Sequence, residues 1–334
     1  MSEFKVTVVR VGPIDKHPNA DTLGLTKVFD YPVIVKLGDF KEGDFAIYVP
    51  VDAVVPKESP RWDFLQGHNR IKAKRLRGIF SMGLLTKMDV AIMAKAVEEG
   101  SDVIGKDVAD ILQITKYEPP LAIQTGGDNE HCPFFFPTYT DVEGLRRWPD
   151  MLKDGEEVQL NEKIHGANMR ALYKEGRLWM GSHTSAKKPD AENLWWRAAY
   201  ENKLEETLAK MPGILFYGEV FGSVQDLHYG CNRQKGKIKI AFFDAFDLEA
   251  GKYLDLDDFE KRTLDLGLSL VPKLYRGPWS KDLVAHAEGK SLIDGADHVR
   301  EGLVVRPVKE RFDERIQRVI LKRHGEGYLL RKEG

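Results

Sequence analysis

The sequence predicts an α+β protein with a small β-barrel at its N-terminus and a larger mixed domain after it. Three observations lead to this prediction. The chain has 334 residues, which is enough for about two domains that each bury a core of their own. Short strand-like segments with turn signals between them fill residues 4–55. Beyond residue 132, apolar strands rich in aromatic residues follow a helical segment.

Composition indicates an ordinary soluble protein. Hydrophobic residues make up 42% of the chain and charged residues 31%, and no apolar run is long enough to span a bilayer. The first residues lack the pattern of a secretion signal, so we expect a cytoplasmic protein without a membrane partner. Cys132 and Cys231 form neither a disulfide framework nor a metal-ligand pair. The net charge of −2 excludes a uniformly basic surface, although local basic patches remain possible.

The N-terminal barrel is predicted from four strand-like segments, at 4–10, 25–29, 33–36 and 45–50. Their spacing is typical of a small barrel, and turn residues such as Gly38 separate them. We assign residues 1–118 to this domain and 119–334 to the next. The linker is expected between 116 and 132, where paired prolines and glycines break regular structure.

Residues 17–23 read His-Pro-Asn-Ala-Asp-Thr-Leu and resemble the signature of OB modules that bind tRNA. This resemblance implies a five-stranded barrel that carries nucleic acid on one face. The alternative is an ordinary turn, because proline, asparagine and aspartate favour turns in any protein.

A dense basic cluster follows the barrel strands. Five of the eight residues from 70 to 77 are cations that we predict to contact nucleic-acid phosphates: Arg70, Lys72, Lys74, Arg75 and Arg77. The alternative is a solvated strand face, which lysine and arginine also favour.

The second domain is predicted to begin with a helix over 141–152 that leads into a strand ending at Lys163. His165 and Gly166 follow, so the lysine amine is expected to project from the strand end into a pocket with a backbone floor. A lysine amine is a nucleophile once it is neutral. The alternative is an ordinary strand end.

Four later segments carry unusual charges or rings in a fixed order. Residues 215–222 form an apolar strand that contains Glu219, and 240–248 form a strand with aromatic residues three apart. An acid stands at the start of 299–307, and 318–324 ends in cations. An acid inside an apolar strand costs free energy unless it meets a metal, a cation or a hydroxyl group. Each segment alone has an ordinary structural explanation, but their order behind a candidate nucleophile indicates a site.

This order resembles the covalent nucleotidyltransferase superfamily of ATP-dependent ligases and capping enzymes. Within it, the chain is similar to the nick-sealing RNA ligases with an N-terminal OB module, the fifth RNA ligase family. The resemblance implies an OB-type barrel followed by an adenylyltransferase domain, an ATP-grasp-like ligase fold of antiparallel sheets flanked by helices. DNA ligases usually have aspartate where this chain has His165, and they carry a further OB domain after the last lysine motif.

The activity implied by the resemblance is ATP-dependent joining of a 3′-OH to a 5′-phosphate of RNA, through a lysyl-AMP and an RNA-adenylate. The implied cofactors are ATP, whose AMP becomes covalently attached to Lys163, and Mg²⁺ or Mn²⁺. The expected partner is nicked duplex RNA or an RNA/DNA hybrid, bound by a monomer. Two alternatives stay open: a DNA ligase, and a non-catalytic RNA-binding protein with a degenerate nucleotidyltransferase fold.

The resemblance also implies residue roles. Lys163 would be the nucleophile. Glu219 would hold the ribose or a metal-bound water, and Glu301 would coordinate the metal directly or through water. Lys322 would bind the α-phosphate and help keep Lys163 neutral. Phe246 would stack on adenine, with Phe243 in the core. The full set of ATP-binding residues is Glu162, Lys163, Asn168, His183, Glu219, Phe246, Glu301, Lys322 and His324.

Two positions depart from the family pattern. His183 stands where an arginine is usual, with Lys187 as a nearby substitute, and His324 stands where a second lysine is frequent. A histidine is only partly charged at neutral pH, so contacts to the triphosphate are expected to differ here.

Overall fold

The computed structural model describes residues 4–90, 92–94, 103–118, 129–231 and 236–331. The chain divides into two compact units. The first unit comprises Met1–Pro119 and Gly144–Pro149, and the second comprises Pro120–Glu143 and Asp150–Gly334. The predicted organisation has a single boundary after residue 118 and does not include the return of the chain to the first unit. The expected linker at 116–132 lies largely outside the described residues.

In its described residues, the first unit is built from short antiparallel strands, a 3-10 helix at Pro60–Leu65, and helical residues at 90 and 92–94. Its strands are β1 (Thr7–Arg10), β2 (Asp15–Lys16), β3 (Leu23–Val28), β4 (Tyr31–Lys36), β5 (Phe45–Val49), β6 (Ala53–Val54), β7 (Lys74–Leu76), β8 (Ile79–Ser81), β9 (Leu84–Lys87) and β10 (Thr115–Lys116). They form the sheets β1-β5-β9 and β2-β3-β4 and the pairs β6-β10 and β7-β8. The four strands expected between residues 4 and 50 are therefore present.

Burial explains why these segments form strands. In β3, every second residue is buried, which is the period of a sheet with one face on a core. Val8, Ile47 and Trp62 belong to one buried cluster of the unit, and Val33 and Tyr48 to another.

The described part of the second unit contains two larger antiparallel sheets and four helices. The helices are α1 (Leu194–Glu201), α2 (Leu204–Leu208), α3 (Leu256–Asp265) and α4 (Glu326–Leu329), with a 3-10 helix at Lys281–Ala287. The strands are β11 (Glu143–Gly144), β12 (Glu157–Lys163), β13 (Ala167–Lys174), β14 (Arg177–Gly181), β15 (Ala186–Lys187), β16 (Ile214–Gly222), β17 (Ile238–Asp247), β18 (Lys252–Tyr253), β19 (Lys273–Pro278), β20 (Gly302–Pro307), β21 (Phe312–Asp313), β22 (Gln317–Arg318) and β23 (Leu321–His324).

The six-stranded sheet has the order β15-β14-β13-β16-β17-β18, and the other sheet places β23, β20, β12 and β19 side by side. Helices α1, α2 and α3 contribute to the core on one face of the six-stranded sheet, together with Met169, Phe216 and Phe242. The opposite face carries Leu215, Tyr217 and further aromatic residues, which pack with Val304 of the second sheet. The two sheets therefore face each other, with β12, β16, β17 and β20 lining the space between them.

The helix expected over 141–152 is absent. The backbone amides of Arg147 and Trp148 both donate to Gly144 O, which closes a single turn after β11. Pro149 then ends it, because proline has no N–H and disfavours helical geometry in the preceding residue. Arg147 packs its guanidinium over the ring of Phe29 at 3.8 Å, so this segment belongs to the first unit.

In the part of the chain that the structure describes, no helix is both long and apolar enough to cross a membrane.

Candidate active site

The candidate nucleophile lies where β12 ends against β20. Lys163 pairs with Gly302, and Gly302 pairs on its other side with His324 of β23. A Cβ atom on Gly302 would lie 2.1 Å from Arg323 O, so a larger residue would force β20 and β23 apart. The glycine thus allows Lys163 and His324 to flank one short stretch of β20.

Lys163 contacts a buried carboxylate. Its Nζ lies 2.9 Å from Glu301 Oε1, and the Glu301 side chain is only 6% exposed. Glu219, on β16 of the facing sheet, is also close enough to act on the charge of the lysine. The structure therefore brings together three residues that are more than 50 positions apart from one another in the sequence.

The charge state of Lys163 differs from the expectation. Burial lowers the pKa of the amine, but the carboxylates of Glu301 and Glu219 outweigh it, so the pKa of Lys163 is raised above its ordinary value. The prediction that a neighbouring cation keeps the lysine neutral was wrong for this state of the site. Lys163 is an ammonium here mainly because the carboxylate of Glu301 lies 2.9 Å from its amine.

The two acids are in different protonation states. Burial raises the pKa of Glu219 to about 8, with Lys163 opposing the shift and Glu301 adding to it. Burial acts in the same direction on Glu301, but Lys163 and then His324 hold its pKa well below the usual range. At neutral pH, Glu301 is thus ionised, and much of Glu219 carries a proton.

Asn168 and Glu219 are neighbours across the sheet. They form a directly opposed pair between β13 and β16, and Asn168 Oδ1 is buried with no hydrogen-bond partner among the described residues. Gly166 precedes β13, and a Cβ there would lie 2.2 Å from Val220 O. The close approach of the chain after Lys163 to β16 depends on this glycine.

His165 is held by partners that the sequence analysis did not identify. Its Nε2 lies 2.8 Å from Asp226 Oδ1, and its backbone N–H donates to the hydroxyl of Tyr229 at 2.6 Å. The hydroxyl of Tyr328 lies 3.3 Å from His165 Nδ1, and Glu301 Oε2 is 3.8 Å from the same nitrogen. Asp226 lies in a loop, Tyr229 near a turn and Tyr328 after the last strand. No motif spacing in the sequence therefore marks these three residues.

Lys322 and His324 lie on one face of β23, two residues apart. His324 Nε2 is 3.4 Å from Glu301 Oε1, and Lys322 is directly opposite Val304 of β20. Burial lowers the pKa of His324, and hydrogen bonding to Glu301 only partly opposes this shift. His324 is therefore neutral at neutral pH and does not replace a lysine in charge.

Glu162 faces away from Lys163. Successive residues of a strand point to opposite faces, and Glu162 Oε2 accepts a hydrogen bond of 2.7 Å from Leu292 N. Its side chain, which is 2% exposed, therefore supports the backbone beside Leu292.

The aromatic residues of β17 differ from their expected placement. Phe246 is buried in an aromatic cluster, with the rings of Phe135 and Tyr253 edge-on to it. Phe243 is only partly buried, and it packs both against this cluster and against the cluster that contains Ile164. The ring next to the nucleophile segment is thus Phe243, and the ring in the core is Phe246.

His183 lies in the turn between β14 and β15 and is half-buried. Burial lowers its pKa, and Arg170 lowers it further. Lys187, the substitute considered for the usual arginine, donates to Asn129 Oδ1 at 2.9 Å and packs over the ring of Trp195. Trp195 belongs to the helix-covered core, so Lys187 lies on the opposite face of the sheet from Glu219.

The basic cluster of the first unit is divided in two. Arg70 is bonded to Asp52 at 2.7 Å and stacks on the ring of Tyr117, which makes it part of the packing. Four of the predicted nucleic-acid-binding residues remain exposed on the surface: Lys72, Lys74, Arg75 and Arg77.

The residues present fit a divalent metal that is shared with a substrate. No group of three His, Cys, Asp or Glu side chains in the described part of the chain could hold a metal alone. Magnesium, however, is commonly bound by one or two carboxylates together with phosphates and water. Glu301 Oε2 is a buried acceptor without a hydrogen-bond partner among the described residues, and Glu219 lies in the same site.

Residues 156–324, just over half of the chain, match the family model described as RNA ligase, and residues 5–88 match an OB-fold domain model. No curated protein sequence matches the chain.

Several solved structures are similar over nearly the whole length. Naegleria gruberi RNA ligase with PPi is 25% identical, with a TM-score of 0.80, and the match covers 98% of each chain. A variant of the Naegleria enzyme with ATP and Mn is also 25% identical, with a TM-score of 0.81 and the same coverage. An apo variant described as Naegleria gruberi RNA ligase R4a is 26% identical, with a TM-score of 0.80 and 97% coverage of each chain.

Proposed function

The chain belongs to the RNA ligase family, and we propose on this basis that it joins a 3′-OH to a 5′-phosphate of RNA in an ATP-dependent reaction. The observation that carries this proposal is the position of Lys163. Its amine ends a strand inside the second unit, 2.9 Å from a buried carboxylate and beside a second acid on the facing sheet. A surface lysine would have no such surroundings.

The first step of the proposed reaction forms a bond between Lys163 Nζ and the α-phosphorus of ATP. The bond from that phosphorus to the bridging oxygen breaks, and pyrophosphate leaves with the electron pair. The amine must lose its proton to water first, so the contact with Glu301 has to loosen when ATP binds. Glu219 and Glu301 would hold Mg²⁺ or Mn²⁺, which would supply positive charge for the phosphates. Lys322 would supply a fixed positive charge for the phosphate.

The adenine is assigned to Phe243 in place of Phe246. Phe243 is partly buried and reaches the cluster around Ile164, whereas Phe246 is buried and does not belong to that cluster. Val304, on the facing sheet, is partly buried in the same cluster as Phe243. A flat base between a ring and an aliphatic side chain would bury its faces without leaving polar groups unpaired.

The later steps transfer AMP to a 5′-phosphate and then join that activated phosphate to a 3′-OH, with release of AMP. Asn168 is suited to orient a phosphate or the attacking end, since its buried oxygen has no other hydrogen-bond partner in the described chain. The RNA is proposed to be a nicked duplex or an RNA/DNA hybrid, because the exposed basic residues of the first unit suit a backbone on either side of a break.

Incubation with α-labelled ATP and Mg²⁺ tests this function. We expect a covalent AMP adduct that acid releases and mild alkali preserves, as a phosphorus–nitrogen bond requires. The Lys163→Ala variant and removal of metal with EDTA should abolish the adduct, while Lys210→Ala, an exposed lysine of the same unit, should retain it. Nicked duplexes with RNA or DNA on the 3′-OH side then separate an RNA ligase from a DNA ligase. Absence of an adduct from the unmodified chain would overturn the proposal.

A further inference from the structure

In the segment that resembles the tRNA-binding signature, His17 is buried although its neighbours Pro18 and Asn19 are exposed. His17 is 1% exposed. Its Nδ1 accepts a hydrogen bond of 3.0 Å from Asn19 N, so the proton of the neutral ring is on Nε2. Nε2 lies 3.2 Å from Leu76 O and therefore donates to it. The imidazole thus connects the signature to β7, 59 residues along the chain.

Asn19 makes a second connection to the same place. Its Nδ2 donates to Arg77 O at 2.9 Å. Arg77 and Gly78 have φ values of 49° and 88°, which fits a two-residue hairpin turn between β7 and β8. His17 and Asn19 therefore hold Leu76 and Arg77, the last strand residue and the first turn residue of this hairpin, and we call this pair of contacts the brace.

The hairpin has one buried strand and one exposed strand. In β8, Phe80 and Ser81 are buried, and Ser81 Oγ accepts from Ile34 N of β4 at 3.0 Å. In β7, all three residues are exposed, and the adjoining Arg77 is exposed as well. The hairpin therefore presents a basic strand outwards from a barrel to which its other strand is fixed.

We propose that Lys74 and Arg77 of this hairpin contact the phosphates of the RNA duplex, and that His17 and Asn19 act as positioning residues that fix the hairpin for this contact. The proposal rests on the proposed function, which supplies the RNA. Charge supports this partner: the exposed side chains of β7 and its turn include cations and no acid. Arg70 is excluded from the surface, because Asp52 and Tyr117 hold its guanidinium.

Binding of the full-length chain to a nicked RNA duplex, measured over a series of salt concentrations, tests the contact. The double variant Lys74→Ala/Arg77→Ala should bind about 10-fold or more weakly and lower the log–log salt slope by about 2, one for each lost phosphate contact. The matched control Lys36→Ala/Lys57→Ala removes two exposed lysines of the same unit outside the hairpin. Equal losses in both double variants would overturn the assignment to the hairpin.

The brace is tested separately, because its loss leaves every charge in place. Asn19→Ala should weaken binding several-fold with a smaller change of salt slope than the double variant, while Thr22→Ala, an exposed neighbour, should bind as the unmodified chain does. Unchanged binding by Asn19→Ala would remove the brace from the proposal. Formation of lysyl-AMP is measured in each variant. If the variants form the adduct and bind RNA as the unmodified chain does, the role of the hairpin is contradicted and the proposed function is not. If even the unmodified chain forms no adduct, the proposed function is contradicted.

Discussion

At the scale of single residues, the least expected feature of the site is how closely His165 is held. Asp226 accepts from its Nε2, which leaves the lone pair of Nδ1 for the hydroxyl of Tyr328. Burial lowers the pKa of His165, with Glu301 opposing the shift, so the ring is neutral at neutral pH. A neutral, fixed imidazole with Nδ1 3.8 Å from Glu301 Oε2 can confine that carboxylate by packing, without adding a charge.

Substitution of Asp226 tests this role. We expect Asp226→Ala to lower kcat for lysyl-AMP formation by about tenfold, at the lower end of what orienting partners contribute in metal sites. The KM for ATP should change less, because Asp226 is not placed to touch the nucleotide. Asp226→Asn should recover much of the rate, since its amide oxygen still accepts from Nε2. Pre-steady-state labelling with ATP measures both constants.

A merely structural role gives a different result. Arg331 also bonds to Asp226, at 3.0 Å, so both variants lose this ion pair and are expected to melt at a lower temperature. If Asp226→Ala and Asp226→Asn lose stability to a similar extent and neither loses rate, then Asp226 only anchors Arg331.

The sequence best predicts residues whose burial costs free energy unless they have a partner. Glu219 was identified because an acid in an apolar strand needs a partner, and the structure brings it to Lys163. The charge of Lys163 was not predictable, because it depends on whether acids or cations lie nearer after folding. Neither was the placement of Phe243 and Phe246, since a register shift in the pairing of β16 with β17 brings both rings into one cluster with Tyr217.

At the scale of elements, a buried ionic cluster joins the two sheets behind the site. Asp244 of β17 lies 2.7 Å from Arg306 of β20 and 2.7 Å from Arg318 of β22, and it accepts from the hydroxyl of Tyr139 at 2.8 Å. The carboxylate is fully buried. Such a cluster is weak evidence of high stability, but the loss of one member leaves charges buried without a partner.

We therefore expect Asp244→Asn to destabilise the second unit by about 3–5 kcal/mol, the usual cost of breaking a buried ion pair. Burial would raise the pKa of Asp244, but Arg306 and Arg318 outweigh it, so the pKa is lowered. A lowered pKa stabilises the folded state above the unfolded value of about 3.9, and this contribution is lost as the pH falls through the folded value. The difference in the free energy of unfolding between the unmodified chain and Asp244→Asn should therefore be smaller at low pH.

Urea denaturation at pH 7 and pH 3, followed by tryptophan fluorescence, measures this gap. The control is Asp257→Asn, which breaks the exposed ion pair with Arg276 and should cost less than about 1 kcal/mol. If Asp244→Asn loses no more free energy of unfolding at pH 7 than the control does, the cluster does not hold the sheets together.

Elements were predictable where burial follows a simple period. The alternation in β3 and the apolar run of β16 are visible in the sequence, and both strands are present. The helix expected over 141–152 failed because Gly144 and Pro149 limit it to one turn, and because tertiary contacts decide the rest of that segment. Pairing order was not predictable, since neighbours such as β12 and β20 are far apart in sequence.

At the scale of the whole molecule, the first unit is formed by two separate pieces of the chain. Gly144–Pro149 belongs to it although it follows residues of the second unit. Within this unit, Arg146 Nη1 donates to Asp30 O at 3.1 Å, and Arg147 packs on Phe29. A chain that lacks residues 1–119 would keep 144–149 without these partners. The contributions of the two units to catalysis and RNA binding are therefore better tested on the intact chain.

The salt dependence of the separate steps provides such a test. ATP offers a few phosphate contacts within the second unit, whereas a nicked duplex offers many to an exposed basic surface. Each phosphate contact that releases counterions adds about 0.7–0.9 to the slope of log affinity against log salt. We expect the second-order rate of nick sealing to fall steeply as salt rises, and lysyl-AMP formation from ATP to fall much less. Both are measured on one preparation, with the pre-adenylylated chain used for sealing, so that the first step does not limit the second. Equal slopes would mean that the RNA is held without the basic hairpin, and that catalysis and RNA recognition lie in the second unit alone.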